Sequence, residues 1–446
     1  MRVFSTYSVK INESAPKAAF KDTVALYRQT VDFFIGIAVR EWDAVSSMPN
    51  AKERLSYMEA LTVATKQRPK TAYCFGKLFY KFPSYYRRAA INEALGKVSS
   101  YMSNLRNWET SHIGKKPGFP RAGHVYPALY RGNSFVRVDD YTAQIKAYIR
   151  NTWDWITISL RKSDADYIRR HCKSRVECVP TLQKRGKQWF LDFAFEERCE
   201  LVKDDVFDQT VLAVDLGINN ACTYCVMNAN GTILGREFLS LPREYDCLDH
   251  AISRIKKAQQ HGAHRSPKLW AAANGINDDI AVKTAHFIVD AAVKYSAFVI
   301  VFEHLDVGGK KRGSKKQRLH LWRARYVQRM VTDKAHRLGI RISRINAWNT
   351  SRLAYDGSGR VQRGKEAELP SYSLCRFQNG KVYNCDMNAS YNIGARYFVR
   401  EICKSLPARV RLDIEAKVPQ CSKRSTCTLS SLIRLNAAFS ALRAAG

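Results

Sequence analysis

Two short runs of uninterrupted apolar residues, each closed by a carboxylate, restrict the folds open to this chain more than any other feature. The first is Val211-Leu212-Ala213-Val214, which ends in Asp215; the second is Val299-Ile300-Val301-Phe302, which ends in Glu303. A strand apolar on both of its faces is buried on both, as in a sheet covered by helices. Between the runs lie alternating strands around an Asn230-Gly231 hairpin turn and two helical patterns, 243–262 and 276–294. After them come a strongly basic helix, a strand at 339–347, a Gly-rich loop, and a helix that Asp386 opens and that runs to about Ser405. Strand, hairpin, helix and strand in this order predict an RNase H-like α/β core.

A carboxylate at the tip of a buried strand is costly unless it is paired or bound to a metal. For any one of the three acids a structural role is an adequate explanation; for Asp386, ahead of a helix, that role is an N-terminal cap. Three acids far apart in sequence, two of them at the ends of adjacent strands, predict instead a common site for two Mg²⁺ ions, which need hard oxygen ligands. Set about 4 Å apart, such ions polarise a phosphate, generate hydroxide from water and stabilise a leaving 3′ oxygen. Asp215, Glu303 and Asp386 are therefore the expected metal ligands and catalytic residues, with Mn²⁺ an acceptable replacement.

Lys and Arg number 73 against 40 Asp and Glu, a net charge of +33 spread along the whole chain. Solubility needs far less, and a long nucleic acid in an extended channel accounts for the excess. The longest apolar stretches, such as VDFFIGIAV (31–39), fall short of the ~20 residues of a membrane helix. Twelve scattered cysteines and an N-terminus without a charged-then-apolar layout predict a reducing cytoplasm.

A chain of 446 residues exceeds one comfortable core and predicts two to four packed units. Residues 2–11 alternate as a first strand, and Pro16 opens helices that dominate to about Trp108. Between Tyr85 and Arg106, Ile91, Leu95, Val98, Met102 and Leu105 make one packing face. The tract GKKPGFPRAGHVYPALYRG (114–132) is loop chemistry and marks a boundary. Lys115, Lys116 and Arg121 there supply charge for a nucleic-acid backbone, while Phe119 and Tyr126 offer stacking planes. Short runs at 153–160, 175–180 and 188–196 predict a small barrel-like β domain, into which the first strand pairs across a helical insertion.

Between Lys310 and Arg344 stand thirteen Lys and Arg and one acid, Asp333. Leu319, Trp322, Tyr326 and Met330 form a stripe expected to pack on the core. Lys315, Arg318, Arg325 and Arg329 flank it and are expected to bind the nucleic-acid backbone. Cys222 and Cys225 make a Cys-x-x-Cys, but on an alternating strand they point to opposite faces and are expected to be packing residues.

The strings VLAVDLGINNACT, FVIVFEHLDV and CDMNASYNIGARYF resemble the three RuvC motifs of the TnpB family and of the related compact type V CRISPR effectors. The third is the most specific: the family's Asp-x-Asn-Ala followed by Asn-Ile stands here as Asp386, Asn388, Ala389, Asn392 and Ile393. The resemblance covers about 209–400 well and the N-terminal half loosely. It implies an RNA-guided DNA endonuclease that cuts target DNA beside a short duplex motif, with guide RNA and a guide–DNA heteroduplex as partners and a monomer as the expected state. It also implies a multidomain α/β layout. The first strand (1–15) and residues 114–208 form a β-barrel wedge domain around a helical recognition insertion at 16–113. A RuvC nuclease core spans 209–348 and 385–405, and a basic C-terminal tail spans 406–446. The segment 349–384 corresponds to the family's zinc knuckle, which starts at Thr350-Ser351. Here Ala354 and Gly357 stand at the first cysteine pair, Gln378 replaces the partner of Cys375, and Cys385 falls outside the family's spacing. A structural zinc needs four good ligands, so none is expected.

Competing readings are a guided DNA-binding protein with weak or no cleavage, a strand-transferring transposase, and an actin-like nucleotide-dependent ATPase, whose first phosphate motif also has Asp-Leu-Gly after a strand. Retention of all three acids argues against the first, the third motif against the second, and the missing further Gly-rich loops against the last.

Overall fold

The computed structural model describes residues 1–12, 16–112, 114–217, 220–263, 265–305, 322–423 and 425–445. Lys315, Arg318 and Leu319, assigned roles above, lie outside the described residues. The chain divides into two compact units, Phe4–Glu197 and a second made of Met1–Val3 with Arg198–Gly446. Among the described residues no helix is long and apolar enough to cross a membrane.

In the first unit, β1 (Arg2–Lys10) leads into α1 (Lys17–Arg40), α2 (Trp42–Ser47), α3 (Ala51–Thr62), α4 (Phe75–Leu78) and α5 (Ser84–Ser111). There follow β2 (Phe135–Arg137), β3 (Thr142–Ile149), β4 (Thr152–Ser159), α6 (Lys162–His171), β5 (Val176–Glu177), β6 (Thr181–Arg185) and β7 (Gln188–Arg198). The strands do not close into the barrel that the sequence predicts. Among the described residues they form two open sheets, β2-β3-β4 and β1-β7-β5 with β6 also on β7, and a single bridge from Ile11 to Leu160 joins them. Helices take the edge of β3 where a closing strand would pair, since β2 pairs with it only as far as Ile145: Tyr148 N donates to Thr23 Oγ1 of α1 at 2.8 Å, and the Tyr86 hydroxyl of α5 donates to Lys146 O at 2.6 Å. The core under β3 is correspondingly helical, with Phe20, Tyr27, Phe34 and Tyr86 buried.

The second unit contains β8 (Thr210–Asp215), β9 (Cys222–Asn228), β10 (Ile233–Leu239), α7 (Pro242–Gln260), α8 (Pro267–Lys294) and β11 (Val299–His304). It continues with α9 (Ala324–Arg337), β12 (Arg341–Asn346), β13 (Gln362–Arg363), β14 (Leu374–Arg376), β15 (Val382–Asn384), α10 (Cys385–Ser405), α11 (Ala408–Lys417) and α12 (Leu429–Ala445). Its main sheet has the order β10-β9-β8-β11-β12, antiparallel through β10, β9 and β8 and parallel through β8, β11 and β12. This is the RNase H-like arrangement predicted from the order of elements.

Because strand side chains alternate, each apolar run feeds two cores. Val211, Ala213, Val299 and Val301 pack with Tyr391, Ala395 and Phe398 of α10. Leu212, Val214, Ile300 and Phe302 pack with Ala285, Ile288 and Ala292 of α8 and with α9. Each wholly buried Val, Ile or Phe contributes about 1.5–3 kcal/mol, which fixes the strand register. Cys222 and Cys225 fall into these opposite cores, as their spacing predicts.

Two expectations change. The fully buried line of α9 is Ala324, Val327, Val331 and Ala335, while Trp322, Tyr326 and Met330 pack half-buried beside it. The residues after 405 are no loose basic tail: Leu429, Leu432 and Leu435 of α12 are buried in the cluster that β8 and α10 share.

Candidate active site

β8 and β11 run parallel with Val214 beside Phe302, so the next residues, Asp215 and Glu303, end neighbouring strands at the same level. Adjacent strands stand about 4.8 Å apart. By strand alternation, both carboxylates share the face of Val211, Ala213, Val299 and Val301, the face that α10 covers. Asp386 is the second residue of that helix. Gly394 lets α10 settle closely on the sheet, since a Cβ there would stand 2.7 Å from Met227 Sδ and 3.2 Å from Ala213 Cβ.

Asp386 is not the helix cap. Asn384 Oδ1 accepts from Asp386 N and Met387 N at 2.9 and 3.0 Å, which leaves the Asp386 carboxylate to receive Asn220 Nδ2 at 3.3 Å. Thr350 Oγ1 donates to Glu303 Oε1. Burial, then the charges of Glu303 and Asp386, hold the Asp215 carboxyl well above the usual carboxylate range, against the lowering influence of Arg363. Burial likewise raises Glu303, opposed by the Thr350 hydrogen bond and the Arg396 cation. The charges of Glu303 and Asp386 thus reach Asp215 and oppose its ionisation, a condition that a divalent cation relieves. Among the described residues, however, no three His, Cys, Asp or Glu side chains stand in position to ligate one ion.

The third motif is largely a brace. Asn388 Oδ1 accepts from Tyr355 N at 2.8 Å, and its Nδ2 donates to Leu353 O at 2.9 Å. Asn392 Nδ2 donates to Thr350 O and Leu353 O, both at 2.9 Å, and its Oδ1 accepts from Leu429 N at 3.2 Å. These buried amides hold the turn after β12 so that Thr350 reaches Glu303. Trp322 Nε1 donates to Gly217 O at 3.0 Å and fixes the exit from β8. Sequence reasoning missed the roles of Asn220, Arg363 and Trp322, whose partners are remote in the chain; Thr350 was visible only as a knuckle boundary.

The segment after Thr350 carries the small sheet β13-β14-β15, held by a core of Ala354, Val361, Cys375, Phe377 and Cys385. The thiols of Cys375 and Cys385 hydrogen-bond each other, which lowers the first and raises the second.

Of the expected nucleic-acid contacts, Phe119 is 56% exposed and its ring lies 6.1 Å from that of Tyr101. Arg121 and Tyr101 line a groove between α5 and residues 117–121. Lys115 is exposed, and Lys116 Nζ sits 5.4 Å from the Trp108 ring centroid. Arg325 and Arg329 are exposed on α9, Arg325 donating to Leu305 O at 3.4 Å and Arg329 lying over the Tyr326 ring.

A family model described as the Aq_aa04 family matches residues 5–149. Over 138 residues the chain is 33% identical to Uncharacterized protein aq_aa04 of Aquifex aeolicus (strain VF5), covering 28% of this chain and 76% of that protein. Over 237 residues it is 28% identical to TnpB-like protein aq_aa05 of the same organism, covering 47% of this chain and 74% of that protein. Its fold is similar to that in the cryo-EM structure of the Cas12f1-sgRNA-target DNA complex, with 13% identity and a TM-score of 0.53 over 84% of this chain and 82% of that one.

Proposed function

On the premise that the chain belongs to the Aq_aa04 family and is similar to a TnpB-like protein, we propose that it is an RNA-guided DNA endonuclease whose catalytic residues are Asp215, Glu303 and Asp386. The observation that carries this reading is the pairing of Asp215 with Glu303 on neighbouring parallel strands, facing the helix that bears Asp386, with the ionisation of Asp215 opposed by both other acids.

By donor type the set suits Mg²⁺, because all three groups are hard oxygen ligands and a cation would offset the charge that Glu303 and Asp386 impose on Asp215. Two such ions, held by Asp215, Glu303 and Asp386, would supply Lewis acidity toward the scissile phosphate and lower the pKa of an attacking water. The chain's own residues provide the positioning. Asn220 orients the Asp386 carboxylate, Thr350 fixes one Glu303 oxygen, and Arg363 favours the ionised form of Asp215. Guide RNA and target DNA are the partners, and base pairing between them reads the sequence. Lys115, Lys116, Phe119 and Arg121 in the first unit, and Arg325 and Arg329 in the second, contact the nucleic-acid backbone. The small sheet at 362–384 helps to load the target strand.

The test is purification after expression with the native flanking DNA, sequencing of the co-purifying RNA, and Mg²⁺-dependent cleavage of matched DNA beside an Asp215→Ala variant. The reading requires a discrete RNA whose 3′ segment directs cutting that the variant loses. Bound RNA without cutting by either protein leaves a guided binder, and the absence of any specific RNA removes the guided reading altogether.

A further inference from the structure

We propose that a cavity between β12, α10 and α11 seats a backbone phosphate of single-stranded guide RNA, a contact separate from the cutting site. The proposal rests on the guided-nuclease reading for the identity of the RNA and on the cavity itself for the chemistry.

The cavity has a volume of about 250 Å³, and Arg344, Arg396, Arg400, Lys404, Arg411 and Glu415 are among its lining residues. Its cations outnumber the carboxylates available to them. Arg400 and Lys404 share Glu401, at 2.6 and 3.2 Å, and Arg411 has Glu415 at 3.7 Å. Arg344 Nε donates to the neutral amide oxygen of Gln328 at 3.2 Å. Arg396, 4% exposed, donates to four main-chain carbonyls, those of Asn346, Trp348, Ser425 and Cys427, at 2.7–3.0 Å. Arg396 also feels the Glu303 carboxylate, so five cations meet three carboxylates. Positive charge gathered around a cavity is costly unless an anion enters it, and Arg forks match phosphate oxygens.

Position and size select the occupant. Arg396 and Lys404 follow Asp386 by 10 and 18 residues on one helix, so at 1.5 Å per residue they lie about 15 and 27 Å along it. The strand being cut does not extend its scissile phosphate into this cavity. The volume admits a phosphate with its flanking sugar and excludes a duplex, so the occupant is a single-stranded or looped-out stretch. A guide is held through every catalytic cycle, whereas target strands come and go.

The test uses Lys404→Gln with Arg411→Gln, since these side chains are 61% and 48% exposed. Affinity for a single-stranded RNA 12-mer and for the co-purifying guide is measured from 50 to 200 mM salt, beside Lys256→Gln with Lys257→Gln on the exposed side of α7 as a charge-matched control. At about 0.7 per phosphate contact on a single strand, loss of two contacts reduces the slope of log affinity against log salt by about 1.4 and weakens binding about 25-fold at 0.1 M. Each single variant takes half of that slope. An equal drop in the control pair, an unchanged slope, or a loss confined to DNA overturns the proposal. A wild-type protein without discrete RNA removes the guided reading, while the 12-mer slopes still decide the cavity.

Discussion

Replacing Gly394 by Ala tests whether the approach of α10 to the sheet sets the active-site geometry. The new Cβ would lie 3.2 Å from Ala213 Cβ, on the strand that carries Asp215, and 2.7 Å from Met227 Sδ. Carbon atoms rest at about 3.5–4.0 Å, so the Ala213 contact alone demands that the helix lift by about 0.3–0.8 Å. Met227 is completely buried and has little room to swing away. In stability the effects partly offset, leaving a net cost of about 0–2 kcal/mol, because overpacking costs about 1–3 kcal/mol while Ala gains about 1 kcal/mol over Gly inside a helix. In activity they do not. Asp386 rides on the same helix, and a displacement of about 1 Å can cost about 100-fold in rate, so half that distance predicts a loss of about tenfold. The assay is single-turnover cleavage of matched DNA at saturating Mg²⁺ and guide, with urea unfolding alongside. Gly394→Ala with Met227→Ala removes the sulfur and Cε that the new methyl meets, and is expected to recover part of the rate. Wild-type cleavage by Gly394→Ala, or no recovery in a folded double variant, refutes the argument.

Thr350→Val removes the donor that opposes the burial-raised pKa of Glu303. The carboxyl then rises further and its ionised form is reached only at higher pH. The acid limb of the rate–pH profile moves to higher pH; an equal loss of rate at every pH contradicts this. Arg363→Gln withdraws the cation that lowers Asp215, so its deficit in cleavage is expected to shrink as pH rises, and a pH-independent deficit tells against the assigned role. Leu432→Ala, at a fully buried site, is expected to cost about 2–5 kcal/mol in urea unfolding of the second unit, and a change below about 1 kcal/mol means that α12 does not belong to the core.

The sheet of the second unit was legible because its information is local. Four apolar residues followed by an acid announce a buried strand tip twice, and the hairpin between them is announced by Asn230-Gly231. The third acid was legible through its motif, but the reason for the motif was not: the partners of Asn388 and Asn392 lie on turns 33 to 42 residues away. The stripe of Trp322, Tyr326 and Met330 does pack on the core, but the most buried line of α9 includes the alanines at 324 and 335, which a search for large apolar residues passes over. Residues 429, 432 and 435 are leucines at helical spacing, a signal overshadowed by the Lys and Arg of residues 404–424. The two open sheets of the first unit were beyond the sequence, because short alternating strands suit a barrel and a pair of sheets equally until α1 and α5 fill the space between.

The burial of α12 against β8 and α10 bears on when the protein becomes active during its synthesis. Domains fold from the N-terminus as the ribosome releases them. The first unit and most of the main sheet emerge early, with Asp215 and Glu303 in place, and α10 then brings Asp386, yet the cluster that β8 and α10 share stays incomplete until the segment through residue 435 has left the exit tunnel. On the proposed nuclease reading, a nascent chain therefore meets nucleic acid before its active-site helix is fully seated, and a chain ending before residue 429 is expected to cut poorly.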